Sequence, residues 1–387
     1  MKEKKLNALY ALMQASFYIG FSGAMIYSTM FLRENRFSVS ESGALLAVAY
    51  LAGIGIQQIA AYIGDHSRTI SLKAVTLAHT LGAVVFLLPI VFLTLPKWAL
   101  GICFLGSTAF IVAAQSILNA LGMAYVQGGR RVNFGLGRGI GSFGFAGSSV
   151  LLGLLFEHRS VQLLALIMML SGLLSSLFVL LLPRVPERRR EECPPVPLRR
   201  FFSEYPVFLF FVVGVTLLFT THSLLNTYML YVVESVGGSS TQLGLVVAFA
   251  GFVELIPMVI YSLLQKRATD RWWLGLSMIA FTVKVIFLYF AQNVGMIFLS
   301  QGFQMLAFGL LTPSSTYYAA QVVREQDLIR GQAMILFAII LGGVFGNLTG
   351  GPLIDGIGIR NTLLIGIGIS FVGTVISVRG LRQRNAQ

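Results

Sequence analysis

Charge is what this chain has least of. Only 11% of its 387 residues are Asp, Glu, Lys or Arg, against roughly 25% in an ordinary soluble domain. With 56% hydrophobic residues and a mean hydropathy of +0.80, the apolar surface exceeds what a water-soluble core can hide. A lipid bilayer is the solvent that such a composition demands. Cysteine is nearly absent: Cys103 lies in an apolar run and Cys193 in a polar one. That argues against a disulfide framework. Four histidines are scattered along the chain, and no His/Cys cluster has metal-ligand spacing, so neither a metal nor another cofactor is expected. No G-x-x-x-x-G-K-[ST] loop occurs, and no soluble stretch is long enough to house a nucleotide-driven motor.

Acids are scarcer still. Fifteen Asp and Glu stand against 28 Lys and Arg, for a net charge of +13. In a soluble protein that imbalance suggests nucleic acid. In a membrane protein it reflects basic loops on the cytoplasmic side, and no nucleic-acid partner is expected here.

What is present is a series of apolar runs. A spanning helix needs roughly 20 apolar residues. The sequence predicts twelve spans, at about 8–32, 40–64, 72–94, 98–122, 138–157 and 161–183, then 205–233, 241–264, 273–292, 295–320, 331–354 and 361–379. The run after MKEKK is too long for the apolar core of a cleaved signal and is read as the first span. The longest polar interruption, PRVPERRREECPPVPLRRFFSEYP, holds six arginines and six prolines and reads as a linker. The expected organisation is a six-helix half over residues 1–183, a linker over 184–204 and a second six-helix half over 205–387. With the N-terminus inside, the inner segments hold 22 Lys and Arg and the outer loops five. Both termini and the linker are therefore expected to be cytoplasmic, in a multi-pass protein of the cell membrane.

The halves echo each other. RRVNFGLGRGIGSFGFAGSSVLLG leads into the fifth span, and LIRGQAMILFAIILGGVFGNLTGG into the eleventh. Each has a basic loop followed by glycines spaced by three or four, which lets two helices approach closely. Matching features at corresponding places in two halves are the mark of an internally repeated membrane transporter.

Twelve spans, a basic central linker and repeated halves resemble the major facilitator superfamily. The phrase NFGLGRGIGSFGF, Asn133 to Phe145, resembles a fifth-span signature of its oligosaccharide and nucleoside proton-symporter branch. The stretch from Gly331 to Asp355 resembles that branch's eleventh span. The resemblance implies an all-α membrane fold of two six-helix halves, and alternating access of a solute site between them. It makes Arg138 a solute ligand and Glu254 a coupling or solute-binding acid, with Lys284 at the place of a ninth-span arginine. The branch's fourth-span carboxylate is replaced by Ala120, and its tenth-span histidine and glutamate by Gln304 and Ala307.

The ionisable residues lead to the same two positions. Fourteen of the fifteen acids fall in tails, loops or span ends, with Asp270 among the loop residues. Glu254 alone lies near the middle of a span, and Lys284 is the comparable base on the next. An ionisable residue at a helix centre costs about 2.5–3.5 kcal/mol, so two at similar depth suggest a pair. Such a pair either fixes the packing of spans eight and nine or forms a proton or solute site. Uncharged polar residues accompany it: Tyr18 on the first span, Gln115 and Asn119 on the fourth, His222 and Asn226 on the seventh, Gln301 and Gln304 on the tenth. Each alone reads as an interhelical hydrogen-bonding group. Together they suit a sugar-, nucleoside- or aromatic-acid-like solute. The expectation is a monomeric secondary active transporter, surrounded by lipid, driven by the proton gradient and not an enzyme. The alternatives are a drug or metabolite exporter of the same fold and a membrane receptor that does not transport.

Overall fold

Five helices begin where the sequence supplies an acceptor for the free N–H groups of a first turn. The side chains of Ser71, Asn133, Ser239, Thr269 and Asn293 each accept from the backbone N–H three residues on. A computed structural model describes residues 3–66, 70–185, 198–324 and 327–382. Among the described residues every regular element is helical, as the lack of backbone partners in lipid requires. The chain divides into two compact units, Met1–Glu192 and Cys193–Gln387.

The first unit holds α1 (Glu3–Ile26), α2 (Ser28–Glu34), α3 (Val39–His66), α4 (Leu72–Phe92), α5 (Lys97–Gln127), α6 (Phe134–His158) and α7 (Leu163–Leu181). The second holds α8 (Leu198–Glu204), α9 (Pro206–Thr227), α10 (Met229–Ser235), α11 (Ser240–Leu264), α12 (Asp270–Tyr289), α13 (Val294–Gly302), α14 (Phe308–Val322) and α15 (Leu328–Arg382). Among the described residues ten helices are long and apolar enough to cross a membrane. The last of these runs 52 residues, Arg330–Leu381, and turns at Gly358, whose φ of 78° suits glycine, so it accounts for two crossings. The tenth expected crossing is split between α13 and α14, which brings the described total to twelve. Of the expected linker, residues 186–197 lie outside the described residues, as does Cys193. The side chains of Asp65 and His66 and all of Arg68 lie outside them too.

Three spans differ from the continuous helices expected. The first breaks at Tyr27 (φ −104°, ψ 1°) and the seventh at Tyr228 (φ −106°, ψ 19°). At each break the phenol donates to a backbone carbonyl of a facing span: Tyr27 to Ser149 O at 2.6 Å, Tyr228 to Asn347 O at 2.9 Å. The segment after each break is also repeated. A short helix ends in a left-handed residue, Arg36 (φ 65°) or Gly237 (φ 76°), and a capping box starts the next span. In the first unit Ser38 pairs with Glu41, and in the second Ser239 pairs with Gln242. The tenth span breaks over residues 303–307. Ala307 departs from helical ψ at −87°, and the Ser277 hydroxyl donates to its carbonyl at 2.6 Å.

Glycine seams hold each unit together. On α6, a Cβ added at Gly137 would sit 2.4 Å from the Tyr10 ring, and one at Gly141 2.8 Å from the Tyr18 ring. One at Gly144 would sit 3.1 Å from the Ala15 carbonyl. On α15, Gly342, Gly346 and Gly350 meet α9 in the same way. The fifth span thus packs on the first, and the eleventh on the seventh, through small residues spaced by three or four.

Candidate functional site

Among the described residues, the charged positions picked out by the sequence lie in two polar clusters, one inside each unit. The first lies where α1, α5 and α6 meet. The close approach at Gly137 and Gly141 carries Arg138 against α1, and its guanidinium lies 4.5 Å from the centre of the Tyr18 ring. That is cation–π distance. Arg138 also donates to Ser142 Oγ at 2.8 Å, one turn along α6. The Tyr18 hydroxyl accepts from Gln115 Nε2 at 3.2 Å. Gln14, fully buried, donates to the Tyr10 hydroxyl at 2.8 Å and to Asn119 Oδ1 at 3.4 Å. The structure therefore joins Arg138, Tyr18, Gln115 and Asn119, the four first-half residues named from the sequence. It includes Gln14, another polar residue that the sequence offers on the first span, and adds Tyr10. The signal for Gln14 is its spacing of four from Tyr18, which puts both on one face of α1. Tyr10 lies four residues earlier again, but in a helix so rich in aromatics that nothing marks it out.

The second cluster gathers around the break in the tenth span. Lys284 on α12 is 1% exposed, so its ammonium needs a partner inside the protein. It donates to Gln304 Oε1 at 2.7 Å. Gln304 in turn donates from Nε2 to Glu254 Oε2 at 3.1 Å. The sequence suggests that Glu254 and Lys284 form a pair. In the structure they also share a bridge, since one amide, carried by the turn residues 303–307, touches both. Lys284 lies within electrostatic reach of the Glu254 carboxylate. The arrangement is braced at the backbone. Ser300 Oγ donates to the Lys284 carbonyl at 2.8 Å. Gly309 lets α14 start against Glu254, where an added Cβ would lie 2.7 Å from the Glu254 carbonyl. Pro257 lies at the same contact and, lacking an N–H, leaves the Val253 carbonyl without its helical donor.

His222 and Asn226 lie one turn apart on α9, with Asn226 Nδ2 3.0 Å from His222 Nε2. An amide nitrogen only donates, so Nε2 accepts and the ring proton sits on Nδ1. Among the described residues that Nδ1 has no hydrogen-bond partner. The ring lies nearly parallel to Phe308 at 6.0 Å, the first residue of α14. Gln301 is buried, and its amide comes no nearer than 4.0 Å to the Met229 sulfur. It does not join the bridge.

Asp270, expected in a loop, requires a correction. It is the first residue of α12, 7% exposed, and it collects three side-chain donors. Tyr261 reaches it at 2.6 Å, Gln265 at 2.9 Å and Gln321 at 2.8 Å. These donors and the helix N-terminus compensate a buried carboxylate. The cluster ties α11, α12 and α14 together at one end. Among the described residues no group of three His, Cys, Asp or Glu is placed to hold a metal ion.

The model of the MFS_1-like family matches residues 5–365 of the chain. Among solved structures, the nucleoside transporter NupG superposes with a TM-score of 0.81 at 14% identity, covering 98% of this chain and all of NupG. A mutant of NupG gives 0.81 at 16% identity over 99% of this chain and all of that one. An auto-inhibited POT-family peptide transporter gives 0.76 at 10% identity, over 99% and 98% of the two chains. At these identities the likeness is one of fold. A search of curated proteins gives no match.

Proposed function

The chain belongs to the MFS_1-like family, and from that premise we propose that it is a secondary active transporter of a small polar solute, nucleoside-like in the first instance and coupled to protons. The observation that carries this reading is the bridged pair Glu254–Gln304–Lys284. A carboxylate and an ammonium in mid-span are retained at a cost, and intramembrane charges of this kind line solute or ion pathways. The pair is neutral overall, which favours a solute without net charge. The Arg138–Tyr18–Gln115–Asn119 cluster supports the same class, since amides and an aromatic ring suit hydroxyls and planar bases. NupG, whose fold this chain shares, is a nucleoside transporter, which makes a nucleoside the first solute to try. Both termini are cytoplasmic by the distribution of Lys and Arg, and a single chain carries both halves of the machinery.

The test is uptake of radiolabelled uridine by proteoliposomes under an imposed pH gradient, acid outside. Wild-type protein accumulates uridine above the equilibrium level, and a protonophore abolishes the accumulation. Glu254→Gln loses accumulation but keeps exchange of uridine across the membrane. Accumulation by Glu254→Gln equal to wild type would sink the coupling role. Release of uridine against its gradient in place of uptake would turn the reading towards an exporter.

A further inference from the structure

We propose that Gln304 is a positioning residue for Glu254, holding its carboxyl group beside Lys284, rather than a ligand of the transported solute. This rests on the reading of Glu254 as the coupling group. Three observations carry it.

The first is orientation. An ammonium only donates, so the atom of Gln304 facing Lys284 at 2.7 Å is the carbonyl oxygen. The atom facing Glu254 at 3.1 Å is then the NH2 group. A carboxylate accepts from that group more strongly than a neutral carboxyl does, so the contact is strongest when Glu254 carries its charge. The second is burial. Gln304 is 5% exposed and both ends of its amide are already engaged, which leaves little of it to offer a solute. The third is the chain that carries it. Residues 303–307 form hydrogen-bonded turns between α13 and α14, and Ala307 leaves helical geometry at ψ −87°. The bridge is therefore placed by the break in the tenth span rather than by a regular helix. An amide cannot itself carry a proton, so Gln304 holds its neighbour in place without passing protons along.

Among the described residues, the titratable groups that face α11 include Asp270 of α12, which accepts from Tyr261. Lys284 on α12 is the charge next to the bridge, and His222 on α9 is within electrostatic reach of Lys284. Of the helices packed against α11, α13 has no titratable side chain, α14 has Tyr317 and Tyr318, and α10 has Tyr231 and Glu234.

The experiment needs no solute. Thermal unfolding of the purified, ligand-free full chain is followed in detergent at about pH 4.5 and about pH 6 for wild type, Gln304→Met, Glu254→Gln and the double variant. Gln304→Met keeps the length of the side chain and removes both polar ends. The bridge contributes most where Glu254 is ionised. The Tm loss caused by Gln304→Met is therefore expected to be at least about twofold larger at the higher pH. In the Glu254→Gln background that pH dependence disappears. A loss equal at both pH values, or a dependence that persists without Glu254, makes Gln304 a packing residue and overturns the proposal. Should Gln304→Met fail to fold, Gln304→Glu replaces it. That variant keeps an acceptor for Lys284 and turns an acceptor towards Glu254. Its Tm deficit is then expected to shrink on acidification, as one carboxyl takes a proton and becomes a donor. A deficit unchanged by acid refutes the bridge. Failure of this test leaves uridine transport standing, and failure of uridine transport leaves the bridge standing.

Discussion

Gly346→Ala isolates the close approach on which the second unit is built. A methyl group at that position would lie 2.3 Å from the Thr220 carbonyl oxygen, 2.9 Å from the Leu224 nitrogen and 3.2 Å from the Ser223 Cβ. Two of the three are backbone atoms, so no side-chain rotation relieves the clash. To reach an ordinary contact, α15 must withdraw from α9 by about 1 Å, and a gap of that size forfeits a quarter to a half of each van der Waals well along the seam. Overpacking of this kind costs roughly 1–3 kcal/mol, and a backbone-to-backbone clash belongs at the upper end. Alanine's better helix propensity returns up to ~1 kcal/mol, for a net loss of about 2. Gly368 is the control. It lies in the same unit, on the part of α15 beyond the turn at Gly358, and an added Cβ there meets nothing within 4 Å. Gly368→Ala is expected to be neutral or to gain up to ~1 kcal/mol. The two variants therefore differ by about 3 kcal/mol, or roughly 6–12 °C in Tm for a unit of this size. Paired thermal unfolding in one detergent measures the difference. Equal melting temperatures would mean that the glycine spacing is not what holds the seventh and eleventh spans together.

Asp270→Ala removes the common acceptor of Tyr261, Gln265 and Gln321 and is expected to cost about 2–4 kcal/mol, with Asp270→Asn losing less, since donors left buried carry most of the penalty. A Tm within a degree of wild type for Asp270→Ala would show that water replaces the carboxylate without loss. Arg138→Lys keeps the charge but gives up the planar fork that lies over Tyr18 and reaches Ser142. Apparent affinity for uridine is expected to fall by about tenfold with little change in Tm, the scale of one cation–π contact. Unaltered affinity in a saturation-binding assay would assign the fifth-span signature to packing alone.

The scarcity of charge explains how much of this protein is legible in its sequence. Each span announces itself because about twenty apolar residues in a row have few other uses. Glu254 and Lys284 stand out because so few charges lie within the spans at all, whereas Arg138 is singled out by its place in the fifth-span signature. The glycine spacing of the fifth and eleventh spans is equally legible, and the structure gives it a physical object in Tyr10, Tyr18, Ala15 and their counterparts on α9. The breaks are not legible. Tyr27 and Tyr228 are ordinary residues in apolar runs, and each becomes a break by donating to a carbonyl some 120 residues away. Asp270 is hidden for a related reason. Its three donors come from α11, the turn that ends it, and α14, and a polar residue between two spans looks like a loop until those donors are found.

Gln304 marks the boundary of that kind of reading. A charge inside a membrane is conspicuous because it is costly, but a glutamine is only mildly so, and this chain has several. Nothing local distinguishes Gln304 from Gln301, three residues away on what the sequence presents as one helix face. The break at residues 303–307 separates them. Gln301 stays at the end of α13 near a methionine sulfur, while Gln304 swings between two charges on different helices. A departure from helical geometry, invisible in an apolar run, therefore decides which of two similar amides meets Glu254. The charges can be found by counting, but the group that joins them is specified only by the fold.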